Sequence, residues 1–298
     1  MPPLLLLSAI WGSSYMFIKV GVRDLSPAAL VDLRLGLAEV VLLAFVAARG
    51  RVRAVRRAVV PGAFVGVVGM ALPFLLISWG ETRVDSGVAA VATSSVPIFV
   101  ALLALRFAVS ERASTIKGVG LAVGLAGVAV VAGVHPSGGW RPVVGTLAVV
   151  LAALCYAVSS LFSQRNLATV GGVELATASV GAGAVAMLPF ALARLPNAVG
   201  WKSLVSGIVL GVVATGIASL IANRLIAEHG AARAMLVNYL LPVFALVYGA
   251  AILGEPLTLA KVGGLGLILV GVTLASGLVA LPARRDVSAD LVGGKAEP

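Results

Sequence analysis

The chain consists of long runs of apolar residues separated by short groups of glycine, proline and charged residues. Many of the runs are about 20 residues long, which is the length that a helix needs to cross the hydrocarbon core of a bilayer. Runs such as LAVVLAALCYAV do not alternate between polar and apolar positions, so they do not fit the strands of a membrane β-barrel. The pattern predicts ten transmembrane helices, at about 3–21, 27–48, 59–80, 87–108, 116–134, 143–163, 173–194, 203–226, 232–253 and 261–280.

The composition supports a membrane protein and argues against a soluble one. Of the 298 residues, 60% are hydrophobic and only 11% are charged, whereas soluble domains carry about 25% charged residues. The net charge of +10 does not indicate a nucleic-acid partner, because the basic residues lie at helix ends rather than on one patch. The predicted fold is an all-α integral membrane protein in the lipid bilayer of a bacterial cytoplasmic membrane.

The basic residues predict how the chain is threaded through the membrane. Most of the 22 Lys and Arg residues fall on the side of the N-terminus, and the segment RGRVRAVRR contributes strongly to this bias. Positive charge marks the cytoplasmic side, and an even number of helices returns the chain to the same side. Both termini of this multi-pass protein are therefore expected in the cytoplasm, and the polar segment 281–298 is expected to be a disordered cytoplasmic tail.

The two halves of the chain resemble each other at a spacing of about 145 residues, which places Pro97 on Pro242. Further matched pairs are Gly62 and Gly207, Gly66 and Gly211, Glu111 and Glu255, and Lys117 and Lys261. This similarity predicts two five-helix units, at 1–135 and 136–280. Because five is odd, the second unit enters the membrane from the opposite side, which gives two inverted repeats, as in carriers that work by alternating access. A duplicated bundle without a transport function is the alternative.

Several segments carry a resemblance to a known family. They are WGSSYMFIK, LRLGLAE, VPIFVALLALRFAVSERAS and LPVFALVYGAAILGEPLT, with a glycine-rich helix after each Glu of the last two. Together they resemble the drug/metabolite transporter superfamily, and in particular its EamA-type members with ten helices. The resemblance extends over about residues 4–278 and matches Arg34 to a position that is often Arg in the family. It implies export of amino acids or related metabolites, often in exchange for protons.

The expected function is therefore that of a secondary transporter with a small-molecule substrate, coupled to a proton or a counter-substrate. A drug or sugar-derivative carrier on the same scaffold is one alternative, and an integral-membrane enzyme is another. The sequence has no HExxH, GxSxG or P-loop motif, and its two histidines, His135 and His229, fall on opposite sides of the membrane. The single Cys155 gives no disulfide or metal cluster. We predict no enzymatic activity, no cofactor and no metal.

The second predicted helix carries an unusual number of charges. It has Asp32 and Arg34 near its outer end, and Glu39 lies about 18 Å from its start at Pro27, near the middle of the membrane. A carboxylate at this depth is costly and must face the bundle or a wet cavity. Glu39 therefore either accepts and releases a proton during transport or pairs with Lys19 or Arg34, which could form an ion-pair cluster with Asp32.

Two intramembrane prolines mark the candidate substrate site. Pro97 and Pro242 each remove one helical hydrogen bond, which predicts corresponding helix breaks where carriers commonly bind their substrates. The polar residues beside these breaks are Thr93, Ser94, Ser95, Asn238 and Tyr239. They either contact the substrate or, in the case of the hydroxyls, satisfy the freed backbone groups.

Four more residues of the first and third predicted helices could line the same site: Trp11, Ser14, Tyr15 and Trp79. The alternative for the aromatic side chains is simple packing or anchoring at the membrane surface.

The glycine-rich predicted helices 5 and 10 are expected to be scaffold, because small residues let helices approach closely in lipid. The contact would lie within one protomer or in a homodimer. Glu111 and Glu255 precede these two helices and are expected to cap their N-termini.

Overall fold

The structure is a computed structural model, and it describes residues 2–107, 115–133, 139–167, 169–230, 234 and 236–275. The regular elements in these residues are all helices, which confirms the predicted all-α membrane fold. Labelled in chain order, they are α1 (Pro2–Gly21), α2 (Pro27–Ala48), α3 (Val52–Glu81), α4a (Ser86–Thr93), α4b (Val96–Phe107), α5 (Thr115–Gly133), α6 (Trp140–Asn166), α7 (Gly172–Leu192), α8 (Trp201–His229), α9 (Val237–Leu253) and α10 (Leu259–Ala275). The tail at 281–298, Glu111 and His135 lie outside the described residues.

The lengths of the helices match a membrane-spanning bundle. Among the described residues, five helices are long and apolar enough to cross a bilayer, and so is the segment Ser86–Ala104, which includes α4a and most of α4b. The helix α2 has 22 residues but carries three charged side chains. The prediction for α3 was wrong at its start, because α3 begins at Val52 and not near residue 59. Its first turns are amphipathic: Arg56 and Arg57 are exposed, while Val55 and Ala58 are buried. A search for unbroken apolar runs misses such a segment.

The helices α3 and α8 contain wider turns at matching places. Residues Val67–Ala71 of α3 and Val209–Ile217 of α8 form π-helix, and the spacing of about 145 residues places the first segment inside the second. Wider turns of this kind are frequent at functional sites, because they change the direction of side chains and backbone groups.

The two prolines have different effects on their helices. The break predicted at Pro97 is present, since α4a ends at Thr93 and α4b begins at Val96. The break predicted at Pro242 is not, because α9 runs without interruption from Val237 to Leu253 with Pro242 inside it. A proline removes one hydrogen bond but does not by itself end a helix that its neighbours support.

Glycines hold α5 against α10 in an antiparallel pair. A Cβ atom placed on Gly120 would lie 2.6 Å from the backbone nitrogen of Ala275, and one on Gly127 would lie 2.8 Å from the carbonyl oxygen of Gly264. The start of α5 therefore meets the end of α10. The expected close approach of the two glycine-rich helices is formed within one protomer.

Matching glycines also join α2 to α8 and α3 to α7. Gly207 of α8 lies against Leu33 of α2, and Gly62 of α3 lies against Ala178 of α7. Leu33 and Ala178 are separated by the same 145 residues as Gly62 and Gly207. A second set of contacts repeats this relation: Gly211 with Leu37, and Gly66 with Ala182. Each contact joins a helix from the first half of the chain to one from the second half.

The packing of α5 against α10 predicts different effects for two neighbouring substitutions. In Gly120→Ala, the added methyl group would meet the α10 backbone, so we expect the free energy of unfolding to fall by about 1–3 kcal/mol. Gly118→Ala is the control, because no atom lies within 4 Å of a Cβ at Gly118, and the higher helix propensity of alanine should keep or raise stability. Thermal unfolding of the two purified variants in detergent measures the difference. Equal stability of the two variants would contradict the close contact.

Candidate functional site

Four polar side chains from different helices lie near one another inside the bundle. They are Tyr15 of α1, Arg34 of α2, Glu81 of α3 and Tyr156 of α6. Tyr15, Arg34 and Glu81 are buried, and Tyr156 is partly buried. We call these four residues the interior polar cluster.

Two contacts position the side chain of Arg34, and they leave other N–H groups of its guanidinium unused. Its Nε atom donates a hydrogen bond of 2.7 Å to the hydroxyl of Thr215, which lies in the π segment of α8. The guanidinium carbon lies 3.7 Å from the centre of the Phe74 ring on α3. Within the described residues, Arg34 forms no ion pair with an acidic side chain. The structure therefore contains a buried, oriented cation whose charge is not neutralised by direct contact.

Glu81 is the most deeply buried acid of the described residues, at 0% exposure. Neither of its carboxylate oxygens has a hydrogen-bond partner among those residues. Lys19, Arg34 and Glu255 interact electrostatically with it. A carboxylate that is removed from water without donors is costly, so Glu81 is a candidate functional group.

Lys19 and Glu255 cap helix ends around Glu81. The Nζ atom of Lys19 donates hydrogen bonds of 2.6 Å to the carbonyl oxygens of Glu81 and Val84, at the end of α3. The carboxylate of Glu255 accepts hydrogen bonds of 2.8 and 3.1 Å from the backbone nitrogens of Ser86 and Gly87, at the start of α4a. The expectation that Glu255 caps α10 was therefore wrong. Its chain segment lies beside the first turn of α4a, which has unpaired N–H groups.

The hydroxyl groups beside the α4 break bond to their own helix. Thr93, Ser94 and Ser95 donate to the carbonyl oxygens of Ala89, Ala90 and Ala92, at 2.8, 3.1 and 2.7 Å. These bonds use the hydroxyl protons but leave oxygen lone pairs as acceptors. The side chain of Thr93 lies beside that of Tyr15 on α1.

A small crevice brings together residues that the sequence singled out. It is lined by Ser94 and Pro97 of α4, by Asn238 and Tyr239 of α9, and by Leu269 and Val272 of α10. Thr93, which precedes Ser94 in the chain, lies beside Tyr15 of the interior polar cluster. Polar side chains near the end of α4a and on α9 therefore lie in the same part of the bundle as the cluster.

The remaining residues predicted on α1 and α3 have local contacts. The Nε1 atom of Trp11 donates a hydrogen bond of 3.1 Å to the carbonyl oxygen of Ala214, beside Thr215. Ser14 is buried, and its hydroxyl lies 3.4 Å from the carbonyl oxygen of Ile10 in its own helix. The ring of Trp79 is covered by the guanidinium of Arg83, 3.4 Å from the ring centre. Trp11 thus lies near the cluster, whereas Trp79 contacts Arg83 in the connection after α3.

The ion-pair cluster predicted around α2 does not form. Among the described residues, no ion pair joins Asp32 or Glu39 to Lys19 or Arg34. The reason is that Lys19 is bound to the end of α3 and Arg34 to Thr215. Glu39 is half-buried, and its carboxylate lies against the backbone of Gly181 on α7.

Sequence reasoning missed Glu81, Tyr156, Thr215 and Phe74. Glu81 lies one residue beyond the predicted end of the third helix at about residue 80. Tyr156 lies within an apolar run, and the only signal for it is that it corresponds to Trp11 at the spacing of 145 residues. No group of three or more His, Cys, Asp and Glu side chains that could hold a metal is present in the described part of the chain.

Comparisons with known proteins give a consistent result. The model of the EamA-like transporter family matches residues 3–133 and 143–277. An uncharacterized transporter of Archaeoglobus fulgidus is 30% identical over 264 residues, which cover 88% of this chain and 93% of the relative. An uncharacterized inner membrane transporter of Escherichia coli K12 is 29% identical, with 90% and 87% covered. A protein of Streptantibioticus cattleyicolor named as a probable terminal-alkyne amino-acid exporter is 31% identical, with 91% of each chain covered.

The fold also has a counterpart among solved structures. One crystal structure superposes with a TM-score of 0.65 at 21% sequence identity, covering 93% of this chain and 96% of the other. At this identity the likeness concerns the arrangement of the helices alone.

The unpartnered carboxylate of Glu81 predicts an unusual response to substitution. Because Gln keeps the size of Glu and removes the charge, we expect Glu81→Gln to raise the free energy of unfolding at neutral pH. Glu174→Gln is the matched control: Glu174 is also buried, but it pairs with Arg51 at 2.8 Å. Its substitution should lower the free energy of unfolding by about 1 kcal/mol, because Arg51 is largely exposed. Thermal unfolding in detergent compares the two, and an equal loss in both would mean that the Glu81 carboxylate is paired.

Proposed function

Because the chain belongs to the EamA-like transporter family, we propose that it exports free amino acids or close derivatives across the cytoplasmic membrane. The observation that carries the proposal is the set of polar side chains inside the bundle, with Arg34, Tyr15 and Glu81 buried and with Ser94 and Asn238 lining a crevice. Such groups are costly in a membrane-spanning bundle unless they serve a substrate path. The naming of one relative as a probable amino-acid exporter, aligned over 91% of both chains, supports the same substrate class.

The transport mechanism that we propose is alternating access between two inverted five-helix halves, at 1–135 and 136–280. The antiparallel pairing of α5 and α10 supports this mechanism, because the sequence repeat matches these two helices to each other. The paired contacts of Gly62 with Ala178 and Gly207 with Leu33 support it further. Each half contacts the other mainly through α-helices that can rock as units, so the polar groups between them can face either side in turn.

In this mechanism, the residues around the crevice and in the interior polar cluster contact the substrate. Ser94, Asn238 and Tyr239 line the crevice, and Thr93 lies beside Tyr15. Ser95 and Ser14 are buried and bonded to their own helices, which fits the maintenance of the backbone near the break. Trp11 adds an aromatic side chain close to Thr215.

Coupling to a proton is assigned to Glu39. It is half-buried near the middle of α2, and one of its carboxylate oxygens has no hydrogen-bond partner among the described residues. No Lys, Arg or His pairs with it in those residues. An acid in this setting can take up and release a proton as the halves move, which a stable ion pair would prevent.

Orientation and assembly follow from the same features. The basic segment from Arg49 to Arg57 favours a cytoplasmic position for both termini.

The glycines at the contact between α5 and α10 are used within the protomer. A homodimer through these helices would therefore have to use their outward face, at Gly118, Gly263 and Gly266.

The substrate class can be tested with purified protein in proteoliposomes loaded with a labelled mixture of the twenty L-amino acids. We expect one or a few of them to leave the vesicles chemically unaltered, at a rate at least about tenfold above that of protein-free vesicles. Efflux should fall in Asn238→Leu, because the amide that lines the crevice is lost. Release of none of the amino acids, or of chemically modified products alone, would contradict the proposal.

The assignment of Glu39 predicts a separable defect. In Glu39→Gln, efflux driven by a pH gradient should fall to the level seen without a gradient, because an amide cannot carry the proton. Exchange of labelled for unlabelled amino acid without a gradient should persist. Asp32→Asn is the control, since Asp32 lies on the same helix nearer its end. If efflux in Glu39→Gln depends on the pH gradient as it does in the wild type, the assignment of proton coupling to Glu39 is wrong.

A further inference from the structure

The interior polar cluster contains two opposite charges that do not neutralise each other by contact. Arg34 and Glu81 interact electrostatically, yet no ion pair joins them in the described part of the chain. In a medium of low dielectric constant, a direct contact of these charges would be strongly favoured. They are kept apart because Arg34 is anchored on Thr215 and Phe74, while Glu81 lies at the end of α3 that Lys19 caps.

Each charge keeps the donors or acceptors that a ligand would need. Only the Nε atom of Arg34 has a hydrogen-bond partner among the described contacts, so the outer N–H groups of the guanidinium remain for a planar anion. Both carboxylate oxygens of Glu81 are buried without a donor. The ammonium group of Lys19 donates to two backbone carbonyls, and no hydrogen bond joins it to the Glu81 carboxylate among the described residues.

Tyr15 and Tyr156 lie near the two charges. Both side chains are close to Arg34, and Tyr15 is also close to Glu81. Tyr15 in turn lies beside Thr93, the residue before Ser94 of the crevice. A molecule bound between the charges would therefore have further polar groups on the side of α4a and α9.

We propose that Arg34 and Glu81 recognise the two charged ends of a free α-amino acid, with the α-carboxylate bound by Arg34 and the α-ammonium bound by Glu81. A zwitterion carries both charges on one carbon atom, so a single molecule satisfies both buried groups at once. A simple amine or a simple carboxylic acid would leave one of them unpaired, which is strongly disfavoured in a desolvated site. The inference rests on the proposed export of amino acids and narrows it to substrates with both groups free.

The test uses the full-length protein in proteoliposomes and three labelled probes. The probes are the L-amino acid that leaves the vesicles fastest in the mixture assay, its decarboxylated amine and its 2-deamino acid. In the wild type we expect the amino acid to be transported at least about tenfold faster than either analogue. Arg34→Gln should lose the preference for the amino acid over the amine, because the carboxylate partner is gone. Glu81→Gln should lose the preference over the deamino acid.

Two further variants separate recognition from folding. Arg34→Lys keeps the charge but not the planar pair of donors, so its preference for the amino acid over the amine should lie between those of the wild type and Arg34→Gln. Glu174→Gln removes a buried acid that pairs with Arg51, and it should keep both preferences of the wild type.

Failure of the inference is distinguishable from failure of the proposed function. If the wild type exports no amino acid from the mixture, the proposed function fails. If the wild type exports amino acids but the Arg34 and Glu81 variants keep its preferences, or lose transport of all three probes in equal proportion, the recognition site is elsewhere and only this inference fails.

Discussion

Close contact between helix backbones is the constraint on which the rest of the structure depends. Water does not drive helices together within a bilayer, so packing must come from surfaces that fit closely. Glycines provide such surfaces between α5 and α10, between α2 and α8, and between α3 and α7. In every case the two helices come from different halves of the chain. The contacts between α2 and α8, which help to hold the bundle together, also bring Arg34 of α2 beside Thr215 of α8.

Helix ends are satisfied by side chains from distant parts of the chain. Lys19 of α1 caps the end of α3, and Glu255, which follows α9, caps the start of α4a. Lys261 of α10 pairs with Asp85 at 2.8 Å. These charged residues fix the position of the connection between α3 and α4a. Glu81, at the end of α3, is therefore placed by the same contacts, and its own carboxylate is left without a donor.

Much of the fold was predictable from the sequence, because the length of an apolar run is set by the bilayer. The prediction of a break was correct at Pro97 and wrong at Pro242, because a missing N–H group weakens a helix but its neighbours decide whether it ends. The ion pairs could not be predicted from the sequence, because they depend on which helix ends meet in the folded bundle. Lys19 was expected beside Asp32 and instead binds the backbone of α3. Glu81 was missed because a helix boundary was placed one residue too early, and a residue at a predicted boundary can be either solvated or fully buried.

The proximity of Tyr15 to Thr93 connects two places that can change independently. Thr93 is the last residue of α4a, so movement of α4b at the break alters the surroundings of Tyr15. Tyr15 in turn interacts with Arg34 and Glu81. Thermodynamic linkage is reciprocal: if the angle between α4a and α4b changes the affinity at Arg34, occupancy at Arg34 shifts the preferred angle by the same free energy. Tyr15 on α1 thus couples the angle between α4a and α4b to the occupancy of the charged groups on α2 and α3.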